Sequence, residues 1–338
     1  MSSSTKMQYV RLGTSGLKVS RIILGCMSYG HPKWGGNWVL GEEEASKHIA
    51  AAYAAGINTF DTADGYSNGL SEEILGRAIK KHNLPRDEIV VMTKLFLPVS
   101  KNPEEVTYTN PDFDGAGFVN QHGLSRKHIF DGVRNSLRRL GSSFRSHHPL
   151  LRRRCKPCTT SSRPATSDIL ECPPVMPTSS TQCKTTRSRI TLPRSSRCRT
   201  ITRSCTGEEE REMMPTLKHF GVGSIPWSPL ARGALSRPLS QQSARAETDV
   251  LSANYYTQSP ASKAIVNRVE EIAKKRGVSM AQISVAWVLA QDAVSAPIVG
   301  TTSLANLADI VGAINVKLTE EEIKYLAEPY QPLPIFGH

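Results

Sequence analysis

I-N-T-F-D-T-A-D-G-Y-S-N-G-L-S-E-E-I-L-G-R-A-I-K-K-H, residues 57–82, changes character in mid-stretch. Residues 57–63 read as a short strand, and a loop containing Gly and Asn follows it. Residues 71–82 read as a helix, with Ser71 as the expected N-cap. A strand that leads through a loop into a helix is the repeating unit of a parallel sheet, because parallel neighbours need a crossover connection.

The same alternation extends in both directions. Upstream lie an apolar strand at 21–25 and a helix at 42–56, which has acids in its first turn and a Gly stop. Downstream lie a strand at 89–94 and a helix at 125–140 that ends at Gly141. The pattern resumes with a strand at 224–230 and helices at 262–276 and 279–291, the second opening on the capping box S-M-A-Q. A strand at 296–302, a helix from Ser303 and a last helix from the T-E-E-E box at Thr319 complete it. Five strands are therefore expected in a chain long enough for an eightfold barrel, which needs about 250 residues.

Residues 142–206 break the pattern. They are rich in Ser, Thr, Arg, Pro and Cys, and neither the helical nor the strand period runs through them. This segment holds 13 of the 42 Lys and Arg but only Asp168 and Glu171 of the 30 acids, so +11 of the net charge of +12 is local to it. Aromatic stacking residues are scarce there, so the basicity does not read as a nucleic-acid groove. Six of the seven cysteines crowd into the same segment, Cys26 being the exception. Cys155-x2-Cys158 has His147 and His148 nearby, yet a closed zinc site shows two well-spaced ligand pairs, and no metal is expected. No apolar run approaches the ~18 residues of a membrane span and no signal peptide opens the chain, so a cytoplasmic protein without a membrane partner is expected.

Four motifs in order carry a family resemblance: F-D-T-A-D-G-Y-S-N-G-L-S-E-E-I-L-G (60–76), V-M-T-K (91–94), V-N-Q-H-G-L-S-R-K-H-I-F (119–130) and I-P-W-S-P-L-A-R-G (225–233). E-E-E-R-E-M-M-P (208–215) extends the match. The chain closely resembles the aldo-keto reductases, nearest to fungal members of the versiconal hemiacetal acetate reductase and aryl-alcohol dehydrogenase type. The resemblance implies a (β/α)8 barrel, with residues 8–141 and 207–330 as its two halves. Strands four to six are missing or corrupted in the segment between, which is expected to be disordered.

What the resemblance implies chemically follows from residue types. Hydride passes from a reduced nicotinamide to a carbonyl carbon, and the oxygen gains a proton as charge develops on it. Carried over from the family, Tyr66 donates that proton, Lys94 eases its loss by favouring the phenolate, and Asp61 orients the lysine. The cofactor would be NADP: Asp61 lies at its site, Trp227 would stack on the nicotinamide, and Ser228, Leu230 and Arg232 would contact the pyrophosphate. Gly300, Thr301, Thr302, Ser303 and Asn306 would receive the adenosine 2′-phosphate at a helix N-terminus. No G-x-G-x-x-G is present, so a Rossmann domain is not indicated. Residues 99–123 are expected to face the substrate, a small carbonyl compound, and residues 329–338 to cover the mouth.

The family also places a catalytic histidine in an L-L-Q-I-H type strand after the third helix. Here Leu140-Gly141 leads to S-S-F-R-S-H-H-P, and neither His147 nor His148 is assigned that role. Joining the third base of each codon to the first two of the next, residues 152–165 permit E-T-M-Q-A-L-H-D-V-V-K-S-G. Residues 194–200 likewise permit F-I-S-M-Q-N. Both are family-like and in family order, so the segment reads as an out-of-frame version of the family's own strands. The expected function is NADPH-dependent reduction of an aldehyde or ketone in fungal secondary metabolism, impaired in the chain as written. The alternative is a non-catalytic scaffold or regulatory protein on the same fold, or a decayed gene product.

Overall fold

The structure is a computed structural model that describes residues 6–36, 38–110, 112–141, 197–198, 208–241 and 259–332. In chain order the N-terminal elements are β1 (Tyr9–Arg11), β2 (Lys18–Ser20), β3 (Ile23–Gly25), α1 (Glu42–Ala54) and β4 (Thr59–Asp61). Next come α2 (Leu70–Lys81), β5 (Val90–Met92), α3 (Arg126–Leu140), β6 (Arg197–Cys198), α4 (Glu208–Arg211), α5 (Met213–Phe220) and β7 (Gly223–Ser224). The last are α6 (Pro260–Arg276), α7 (Met280–Leu289), β8 (Ile298–Val299), α8 (Leu304–Gly312) and α9 (Glu320–Ala327). They fall into two compact units: the described residues of Gly25–Tyr53 and Asn58–Ser195, and those of Met1–Leu24, Ala54–Ile57 and Ser196–His338.

In the first of these units β4 and β5 pair in parallel, with Asp61 opposite Met92, and every residue of both strands is buried. Helix α3 starts at Ser125, whose hydroxyl accepts from the His128 amide, and stops at Gly141, which has a positive φ of 92°. Its buried positions His128, Gly132, Ser136 and Leu140 recur every fourth residue, which defines the face turned inward. Small residues let the helices approach: a Cβ on Gly76 of α2 would meet the Leu140 carbonyl oxygen at 2.4 Å. Ser71 differs from its expected role. Gly69, at φ 94°, is the N-cap of α2, and Ser71 lies inside the helix with its buried hydroxyl donating to the Cys26 carbonyl at 2.8 Å.

In the other unit β1 and β2 form an antiparallel hairpin that the sequence reading missed. Gly13 in its turn, at φ 57°, lies against the backbone of Gly221 and Gly223, where a Cβ would meet the Gly223 nitrogen at 2.4 Å. Helices α5, α6, α7 and α9 share one core built on Leu217, Val269, Ile283, Trp287 and Leu326. Each such side chain, fully buried, contributes about 1.5–3 kcal/mol. Ser303 caps α8, and Thr319 forms a complete capping box with Glu322. Ser279 caps α7, yet its box is half made, because the Gln282 side chain donates to the Asp309 carbonyl instead. Helix α6 begins two residues before the expected Ser262, since Ser259 caps it and Pro260 opens its first turn, where a missing N–H costs nothing.

The expected strand at 224–230 is only Gly223–Ser224, because Pro226 cannot donate to a ladder. Within 142–206 the described residues are those of β6, where Arg197 and Cys198 pair in parallel with Gly223 and Ser224. Backbone pairing needs an extended chain and an open edge, which β7 supplies without regard to side chains. The rest of that segment, including His147, His148, Cys155 and Cys158, lies outside the described residues. So do 333–338 of the expected tail over the mouth. Among the described residues no helix is long and apolar enough to cross a membrane.

Candidate active site

The parallel register of β4 and β5 builds the site. Asp61 ends β4 and Lys94 lies two residues past β5, so their side chains fall on the same side of the sheet, one step apart. The ladder continues beyond the strands through the Thr62 amide to the Met92 carbonyl at 2.8 Å and the Asp64 amide to the Lys94 carbonyl at 3.1 Å. The Lys94 ammonium donates to Asp61 Oδ2 at 3.1 Å and to the Thr62 carbonyl oxygen. Asp61 is almost wholly buried, whereas the lysine side chain keeps 21% of its surface exposed.

Tyr66 opens a turn, Tyr66–Gly69, and its ring lies beneath the ammonium, with Lys94 Nζ 4.4 Å from the ring centroid. A cation over a phenol ring is attracted by the ring's negative face, and more strongly when the ring carries phenolate charge. Three residues named from the sequence therefore meet here. The buried indole of Trp34 stands 6.4 Å from the Tyr66 ring and 5.9 Å from that of Tyr108, centroid to centroid. Trp34 went unnamed in the sequence, where a Trp in a Gly-rich loop carries no positional signal.

Behind these groups lies a buried charge cluster that the sequence did not reveal either. Glu72, wholly buried in α2, accepts from Arg139 Nε of α3 at 2.6 Å and from the Thr93 hydroxyl at 2.5 Å. Asp64 is 2% exposed, and burial, reinforced by the Glu72 carboxylate, pushes its pKa up to about 8. Arg139, the Gly65 amide and Lys94 oppose that shift without cancelling it. Burial, the charge of Asp61 adding to it, pushes the Cys26 thiol well up, so that thiol is unreactive near neutrality.

Asp61 apart, the residues expected to hold a cofactor lie in the other unit. Trp227 bridges to Ile298 of β8 through the backbone, and the Ile298 amide donates to the Pro226 carbonyl at 2.7 Å, so the 225–233 and 300–306 loops emerge side by side. Ser228, Ala231 and Arg232 all have positive φ, 54°, 47° and 56°, a conformation that L-residues adopt at a cost and that clusters at ligand sites. Leu230 lies between them and is half-buried. Gly300 and Thr302 are exposed, Thr301 is buried, and Ser303 caps α8 by accepting from the Asn306 amide at 3.4 Å. An exposed helix N-terminus with flanking hydroxyls is a donor set that fits a phosphate-bearing group. Among the described residues no group of His, Cys, Asp and Glu is arranged to hold a metal ion.

Comparison with known proteins shows the family. The Aldo/keto reductase family profile matches residues 21–144 and 202–331. The chain is 41% identical over 347 aligned positions to the versiconal hemiacetal acetate reductase of Aspergillus parasiticus, covering 97% of this chain and 98% of that protein. A Schizosaccharomyces pombe protein carrying an aryl-alcohol dehydrogenase name is 41% identical over 360 positions, covering 100% and 99%. An aldo-keto reductase of Metarhizium robertsii is 37% identical over 354 positions, covering 99% and 94%. With these relatives and an Asp–Lys–Tyr group at the ends of parallel strands, the chain belongs to the aldo/keto reductase family of oxidoreductases, whose fold class is the (β/α)8 barrel.

Proposed function

We propose that the chain is, by descent, an NADPH-dependent reductase of aromatic aldehydes or ketones, acting in the cytosol as part of fungal secondary metabolism. The observation that carries this reading is the Lys94 ammonium held by Asp61 over the face of Tyr66. A reduced nicotinamide, when bound, supplies hydride to the carbonyl carbon. Tyr66 gives its hydroxyl proton to the carbonyl oxygen as that oxygen becomes an alkoxide, and Lys94 steadies the negative charge left on the phenol. Trp227, Ser228, Leu230 and Arg232 would hold the nicotinamide and pyrophosphate. Gly300, Thr301, Thr302, Ser303 and Asn306 would hold a 2′-phosphate, which favours NADP over NAD. The aromatic character of the substrate is suggested by the relatives' names and by Trp34 and Tyr108 beside Tyr66.

The same proposal holds that residues 8–141 and 207–330 are two barrel halves joined by a frame-shifted segment, and that turnover by this polypeptide is impaired. The family match passes over 145–201, which supports that reading. The family's catalytic histidine and the contacts to the nicotinamide amide would fall there. A non-catalytic scaffold is the second reading, favoured by the unassigned histidine.

The test follows loss of NADPH absorbance with an aromatic aldehyde. The chain as written is expected to be inactive, and a form with the alternative frame and histidine strand restored is expected to turn over. In the restored form Tyr66→Phe should abolish turnover while cofactor binding stays nearly unchanged. A restored form that binds NADPH but reduces no carbonyl would sink the enzyme reading. Tyr66-dependent reduction by the unrestored chain would overturn the claim of impairment.

A further inference from the structure

We propose that Asn68 is the positioning residue that fixes the substrate-facing loop onto the turn carrying Tyr66. The Asn68 side chain makes three hydrogen bonds to one short stretch of backbone. Its Nδ2 donates to the carbonyl oxygens of Asn102 and Glu105, both at 2.8 Å, and its Oδ1 accepts from the Ser100 amide at 3.1 Å. One amide group therefore gathers backbone from both ends of residues 100–105, a stretch with no strand or helix of its own.

The stretch leads straight into the short turn Thr107–Thr109, which presents Tyr108. Tyr108 stacks edge-on against Trp34, and Trp34 in turn flanks Tyr66, two residues before Asn68. The contacts close a ring: Tyr66, Trp34, Tyr108, the 100–105 backbone, Asn68 and back along the chain to Tyr66. Ser67 adds a tie on the other side, its hydroxyl accepting from the His31 amide at 3.1 Å. Glu104 ties the 100–105 stretch to the loop of His31 in turn, lying 3.5 Å from His31 Nε2 and from Lys33 Nζ.

The residue type fits two demands at once. Asn68 has φ 53° and ψ 44°, the left-handed conformation that Asn tolerates far better than most L-residues. It also needs two donors and an acceptor in one short side chain, which Asn offers at its amide. Gly would accept the backbone but make none of the bonds. Asp would accept the backbone and match the shape, but would set an anion against two carbonyl oxygens.

The experiment uses the full chain and two readouts that need no turnover: hydrogen exchange at the Ser100 amide, and the rate at which N-acetylimidazole acetylates Tyr66, followed by peptide mass spectrometry. Asn68→Gly, which removes all three hydrogen bonds, is expected to speed Ser100 exchange by about tenfold or more, and Asn68→Asp, which loses both donors but keeps an acceptor for the Ser100 amide, to speed it less. Both should also raise Tyr66 acetylation severalfold while leaving the thermal melt of the chain in place. Faster Ser100 exchange with unchanged Tyr66 acetylation in both variants would show a loop anchor with no hold on the site and overturn the proposal. Unchanged exchange would overturn it as well. The inference rests on the proposed role of Tyr66, but failure of that role would appear in the NADPH assay and leave these two rates as predicted.

Discussion

Replacing Asp64 by Asn should flatten a pH dependence of stability that the parent chain shows. Asp64 is 2% exposed, and its pKa rises from 3.8 to about 8, because burial disfavours the carboxylate and Glu72 adds a like charge. In the folded chain the group is thus protonated near neutrality, whereas in the unfolded chain it is ionised above about pH 4. The folded state therefore binds the extra proton, and stability falls as pH rises from the unfolded towards the folded pKa. At about 1.36 kcal/mol per pH unit, the interval from about pH 5 to pH 8 costs the parent on the order of 4 kcal/mol. That is a large share of a typical domain stability of ~5–15 kcal/mol. The Asn side chain is neutral throughout and can still accept from the Gly65 amide, so the variant should match the parent near pH 5 and exceed it near pH 8. Urea denaturation at the two pH values, with the difference between parent and variant taken at each, measures the effect. Parallel curves, with the same difference at both pH values, would refute the reasoning.

Arg139→Met should leave the buried Glu72 carboxylate without its cation and cost roughly 3–5 kcal/mol by denaturant midpoint, far more than an exposed ion pair would. Gly76→Ala sets two effects against each other: a helix-propensity gain of about 1 kcal/mol and a Cβ placed 2.4 Å from the Leu140 carbonyl oxygen. Since that oxygen is backbone and cannot rotate away, net destabilisation of about 1–3 kcal/mol is expected in a thermal melt. Thr319→Ala should remove one side of the capping box on α9 and cost about 1 kcal/mol, read by the same melt.

What the sequence made legible was local. Ser125, Ser303 and Thr319 announce helix starts because a capping side chain acts within three residues of itself. Asp61, Tyr66 and Lys94 were nameable because a family motif fixes them, and the register of β4 with β5 explains why that spacing brings them together. Ser71 misled because a serine ahead of an apolar run looks like a cap, although Gly69 already turns the chain and the hydroxyl is needed by Cys26. Gln282 misled in the same way, its amide taken up by Asp309 across 27 residues. The Glu72–Arg139 pair, 67 residues apart, and the three bonds of Asn68 to residues 100–105 leave no local pattern. They depend on which helices and loops the fold brings alongside.

Strand β6 has a consequence for how such a fold tolerates error. The edge of β7 reads only whether a neighbour is extended, because amide and carbonyl are common to every residue but proline, which lacks the amide. A segment given other side chains by a change of frame, as proposed above, could therefore still pair with it through the backbone. Damage of that kind would be silent in the ladder and loud in the core. Spectroscopy that counts strands would report less of it than any measurement that depends on packed side chains.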